Sequence, residues 1–62
     1  MHRNDNNRLM NIDEVADYLA VKKSWIYENY KRAGLPAFKI GQALRFKRAD
    51  VDQWLEAQQV AA

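Results

Sequence analysis

At 62 residues, with no cysteine, the chain has room for one domain and one modest core, and neither a disulfide framework nor a thiolate zinc site can supplement that core. One Ser (Ser24), one His (His2) and no Thr leave no nucleophile with a base to activate it, so an enzyme is not expected, nor a cofactor or a metal. The net charge of +2 is unevenly placed: residues 22 to 48 hold eight cations against Glu28 alone, a local +7, while the flanks hold Arg3 and Arg8 against seven carboxylates, −5.

A short segment of that charge suits a polyanionic partner, although a solvated basic surface would look the same from charge alone. Spacing has to decide. Residues 1–8, MHRNDNNR, lack apolar periodicity and are expected to form a flexible arm in which His2 is a plain tail residue and Arg3 and Arg8 are candidates for a phosphate or minor-groove contact. They also lack the apolar stretch of a secretory signal, and no run approaches the roughly 18 apolar residues of a membrane span, so the expected compartment is the cytoplasm.

From Asn11 the pattern changes. Asn11 followed three residues later by Glu14 is an Asn version of the capping box. The spacing of Ile12, Val15, Ala16 and Leu19 predicts a helix over Ile12 to Leu19, with Asp13, Glu14 and Asp17 on its solvated face. After the short connection Ala20 to Lys22, a second helix is predicted over Lys23 to Ala33 and is ended by Gly34 and Pro36. Ile26, Tyr30 and Ala33 should face the first helix. The other face gathers Lys23, Ser24, Tyr27, Glu28 and Lys31, cations and hydroxyls with one carboxylate, a set suited to base edges and phosphates.

Beyond Pro36 the period switches to two, which predicts a β-hairpin. A two-residue turn at Gly41-Gln42 would pair Ile40 with Ala43 and Phe38 with Arg45, mixing apolar and basic faces. A three-residue loop, Gly41 to Ala43, pairs Ile40 with Leu44, Lys39 with Arg45 and Phe38 with Phe46, leaving one face apolar and one basic; this register is expected. Lys39 and Arg45 would then face each other with a phosphate between them. Two isolated edge-strand cations are the plainer reading. A last helix is predicted over Arg48 to Gln58, burying Val51, Trp54 and Leu55 and carrying Asp50 and Asp52 in its first turn, where the helix dipole favours acids. Residues 59–62 should fray.

Two helices joined by a tight turn, a basic hairpin and a closing helix are the parts of a winged helix-turn-helix: mainly α, with a two-stranded wing, in one DNA-binding domain over residues 9–58. The residues Leu9 with Glu14-Val15-Ala16 and Leu19, Ile26-Tyr27, Leu35-Pro36-Ala37 with Lys39-Ile40-Gly41, Arg45-Phe46, and Asp50-Val51 with Trp54-Leu55 together resemble the excisionase-type, MerR-like small DNA-binding proteins across Leu9 to Leu55. Departures stand at Ala20, where the family often has Gly, at Lys22, often Ser, and at Asn29, often aliphatic; they leave Trp25 open between core and DNA. The resemblance implies a second helix that enters a major groove through Lys23, Ser24, Tyr27 and Lys31, with Glu28 suited to accept from a cytosine amino group. It implies a wing that contacts DNA through Lys39, Gln42 and Arg45. Lys22, Arg32, Lys47 and Arg48 are secondary phosphate candidates.

Members of that group act as excisionases, recombination directionality factors that bend attachment-site DNA of a prophage or other mobile element and bias an integrase toward excision, or as transcription regulators. The implied partners are double-stranded DNA, a tyrosine integrase and further copies of the chain on adjacent sites. A repressor of a mobile-element or plasmid operon is the alternative. A protein-interaction module using Trp25 and Tyr27 as an aromatic face is the more distant one.

Overall fold

The computed structural model describes residues 8–60; residues 1–7 of the expected N-terminal arm, with Arg3, and residues 61–62 of the tail lie outside them, while Arg8 is described and exposed. The elements run β1 (Leu9–Met10), α1 (Ile12–Leu19), α2 (Lys23–Ala33), β2 (Phe38–Ile40), β3 (Ala43–Lys47) and α3 (Arg48–Ala57). The capping box is formed in both directions: Glu14 N–H donates to Asn11 Oδ1, and Asn11 N–H donates to Glu14 Oε1, each at 2.8 Å. Two of the donors that a helix start leaves unpaired are thereby satisfied, which is why α1 begins where the sequence predicts.

The core is small. Val15, Ala16, Ile26, Leu35, Phe46 and Val51 are buried, and Met10, Ile12, Leu19, Val21, Tyr30, Ala37, Leu44 and Trp54 pack around them. Each helix contributes one stripe at helical spacing and β3 contributes alternate residues, as two periods sharing one core require. Trp54 also closes the domain through its ring N–H, which donates to Ala33 O at 2.9 Å and ties α3 to the end of α2. Leu55, expected in the stripe, is instead 43% exposed; only Trp54 and Val51 on α3 meet the core, and Leu55 borders an open recess with Leu19, Val21, Trp25 and Trp54.

Three features of the sheet differ from expectation. Leu9–Met10 adds a third strand, so the sheet has the order β1-β3-β2 and is antiparallel throughout. The hairpin register is that of the two-residue turn: Ile40 pairs with Ala43, Lys39 with Leu44 and Phe38 with Arg45. Lys39 and Arg45 therefore do not face each other. They lie on opposite faces, Lys39 beside Leu44 on the core side and Arg45 outside with Lys47.

The physical reason is visible in burial. β3 is fixed by Phe46, fully buried, and half-buried Leu44, but all three residues of β2 are exposed. The apolarity of Phe38 and Ile40 thus exerts no pull on the register, and turn geometry decides it. Gly41 has φ +62° while Gln42 stays at negative φ, the sign pattern of a type II′ turn, whose twist matches that of the strands it joins.

Candidate nucleic-acid interface

The turn between α1 and α2 is tight because Ala20 takes the left-handed conformation, φ 59° and ψ 42°, and its N–H donates to the carbonyls that end α1. Val21 N–H adds a 3.0 Å bond to Ala16 O. An L-residue with a Cβ pays for this conformation in steric strain, so the family's frequent Gly at this place has a direct structural cause. Lys22 then stands at the N-cap of α2 in an extended conformation, and its side chain makes no capping bond.

Ile26 is fully buried beneath α2, and at 100° per residue the opposite face falls to Ser24, Glu28 and Lys31, flanked by Lys23 and Tyr27 on one side and Arg32 on the other. All six are exposed, Tyr27 at 57%. The set read from periodicity is thus brought to one solvent-facing surface. Lys23 is not independent within it: its Nζ lies 2.9 Å from Asp13 Oδ1 on α1. The hydrogen bond to Asp13, then the charge of that carboxylate, holds Lys23 above the ordinary lysine pKa.

Trp25, two residues from Tyr27, is turned about 200° from it around the helix. It lines the recess between α2 and α3 with Leu19, Val21, Trp54 and Leu55, so it belongs neither to the core nor to the cationic face, and the two aromatics do not form one surface. Asn29 Nδ2 donates to Trp25 O at 2.9 Å, one turn back along the same helix.

The far end of α2 is closed by Gly34 at φ 75°; Gly34 N–H donates to Lys31 O and Leu35 N–H to Tyr30 O at 2.9 Å. This double bond pattern satisfies the last carbonyls and swings the chain back to the hairpin. As a result the end of α2 and strand β2 form two walls of an open cleft lined by Tyr30, Lys31, Gly34, Leu35, Ala37, Lys39 and Leu44. Sequence reasoning named both lysines and missed that they share this cleft; the Gly-first turn at Gly41-Gln42 is the signal that would have found it.

Gln42 stands exposed at the hairpin tip. Arg45 is half-buried on the outer face, its Nη1 donating to Leu44 O at 2.9 Å; Lys47, paired with Leu9, lies on the same face with exposed Phe38 and Ile40. Lys22 and Arg32 are exposed. Arg48 is half-buried and engaged by neighbouring side chains instead: its guanidinium lies 4.5 Å from the centre of the Tyr18 ring, its Nε is 3.8 Å from Asp52 Oδ2, and the Tyr18 hydroxyl donates to the same carboxylate group. Among the described residues no group of His, Cys, Asp and Glu could hold a metal ion, and no helix is long and apolar enough to cross a membrane.

A packed helix, a tight left-handed turn, a second helix with a cationic outer face and a hairpin set against its end define a winged helix-turn-helix DNA-binding domain. A family model described as a helix-turn-helix domain matches residues 9–59, and the chain belongs to that family of small excisionase-like DNA-binding domains. No curated protein and no solved structure gives a significant match to the chain.

Proposed function

We propose that the protein is an excisionase-type accessory factor: it binds specific sites in double-stranded DNA, bends them and biases a tyrosine integrase toward excision. The observation that carries this reading is the family match over residues 9–59, on a domain whose exposed helix face and wing hold cations and hydroxyls with no catalytic grouping. In this reading α2 enters the major groove, with Ser24, Tyr27 and Glu28 at base edges and Lys31 at the backbone, while Lys39, Gln42 and Arg45 engage the flanking strand from the wing. Lys22, Arg32 and Lys47 add phosphate contacts. Arg48 is the weakest of that group because Tyr18 and Asp52 already hold it.

Size bears on the mechanism. Bending a site costs of order 1–6 kcal/mol, and a single module of this kind buries only about 600–1,000 Å² on DNA. Several copies on neighbouring sites, assisted by each other or by the integrase, supply the remainder. The test is a gel-shift and bending assay on an attachment site, followed by excision in vitro with the integrase of the same element. Cooperative complexes, a bend and a gain in excision are expected. Binding confined to a promoter, with no effect on excision, would make the protein a transcriptional repressor instead.

A further inference from the structure

We infer that Lys31 and Lys39 grip one and the same backbone phosphate, seated in the cleft where α2 meets the hairpin, and that Arg45 takes no part in that contact. The inference rests on the DNA-binding reading and sharpens it to a single phosphodiester subsite. Three observations carry it. The register places Lys39 opposite Leu44, on the core side of the hairpin, so its side chain leaves the strand on the side of α2 rather than on the side of Arg45. Lys31 lies in the last turn of α2 and lines the same cleft, together with Tyr30 and the apolar Leu35, Ala37 and Leu44. No carboxylate lines that cleft, and neither lysine takes part in the salt bridges among the described residues.

Two ammonium groups on facing walls of one cleft, above an apolar floor and without a counter-charge, repel each other in the free protein. A phosphodiester between them reverses the sign of the interaction. The carbonyls at the end of α2, which would oppose an anion there, already accept from Gly34 and Leu35 N–H, so their negative pole is partly spent.

The experiment uses the full chain and a duplex selected by it, carrying single neutral methylphosphonate substitutions at each backbone position in turn. One position is expected at which neutralisation weakens wild-type binding about tenfold, the scale of a charged hydrogen-bonded contact. At that position the loss shrinks to about threefold in each of Lys31→Gln and Lys39→Gln, where one ammonium remains, nearly vanishes in the double variant, and stays near the wild-type value in Arg45→Gln. Circular dichroism checks that each variant is folded. Lysines that lose sensitivity at two different phosphates, or at none, would overturn the inference while leaving DNA binding intact. Failure of the wild type to bind any duplex in a salt-dependent way would instead remove the reading beneath it. Inorganic phosphate at matched ionic strength is expected to leave the Lys31 and Lys39 Nζ resonances unmoved. Movement of both would make this a free-anion site and overturn its assignment to a DNA strand.

Discussion

Phe38 and Phe46 are the same residue type on adjacent strands, and their environments are opposite: Phe46 is fully buried and Phe38 is 43% exposed. Truncating Phe46 to Ala removes a ring enclosed by the core and should cost about 3–5 kcal/mol, comparable with the entire stability of about 3–5 kcal/mol that one core gives a chain of this size. Phe46→Ala is therefore expected to be largely unfolded at 25 °C by circular dichroism. Phe38→Ala should stay folded with a loss below about 1 kcal/mol. Equal losses at the two positions would restore the register in which they face each other. On the interface, Ser24→Ala and Tyr27→Phe remove hydroxyls from the exposed face of α2 and should change the ranking of DNA sites in a selection experiment. Arg45→Ala should lower affinity for all sites by a similar factor; an unchanged affinity would take the outer wing face out of the contact.

At the scale of elements, the connection between α1 and α2 carries two local imperfections, Ala20 at φ 59° and Lys22 as an N-cap without a side-chain bond. Ala20→Gly relieves a left-handed alanine and is expected to raise stability by about 0.5–1 kcal/mol after the added chain entropy of glycine is counted. Lys22→Ser supplies the missing acceptor and should add about 1 kcal/mol. For a domain this small, each kcal/mol moves the Tm by roughly 4–8 °C, which a thermal melt resolves. Lys22→Ser should also weaken DNA binding if its ammonium reaches a phosphate, so the two readouts move in opposite directions. The helices were legible in the sequence because their signals are local: Asn11 with Glu14 starts α1, Gly34 with Pro36 ends α2, and each buried stripe keeps one period. The hairpin was legible too, but its register and the third strand were not, for two reasons. β1 is two residues long and earns its place only by pairing with β3, a contact that spans most of the chain. β2 is exposed along its whole length, so hydrophobic patterning, the rule that normally fixes register, had nothing to act on. The same gap hid the cleft shared by Lys31 and Lys39, because membership of a cleft depends on register.

For the whole molecule, the sequence's division into a +7 centre and a −5 flank becomes a division in space. Of the eight central cations six lie on α2 and the hairpin, Lys22 stands at the N-cap of α2 and Arg48 opens α3, while the described carboxylates other than Glu28 lie on α1 and α3. A molecule polarised in this way is oriented by a polyanion before contact and discouraged from docking by its other side. Two of the eight central cations are engaged within the fold, Lys23 with Asp13 and Arg48 with Tyr18 and Asp52. If Lys31 and Lys39 share one phosphate, then Lys22, Arg32, Arg45, Lys47 and that pair neutralise about five phosphates, and log K should fall against log salt with a slope of about −4.5. The bridge to Asp13 makes this count adjustable. Lys23 stays charged at any working pH, since its raised pKa removes the bridge only as pH rises through and above the ordinary lysine range, so what restrains it is the carboxylate and not its own protonation. Asp13→Asn removes that carboxylate, releases an exposed ammonium beside Ser24 and Tyr27, and deletes one negative charge near the duplex. The slope is then expected to steepen by about 0.9, the contribution of one further phosphate, with tighter binding at low salt and unchanged site preference, measured by fluorescence anisotropy across a salt series. An unaltered slope would mean that Lys23 stands away from the backbone and serves only to brace α2 against α1.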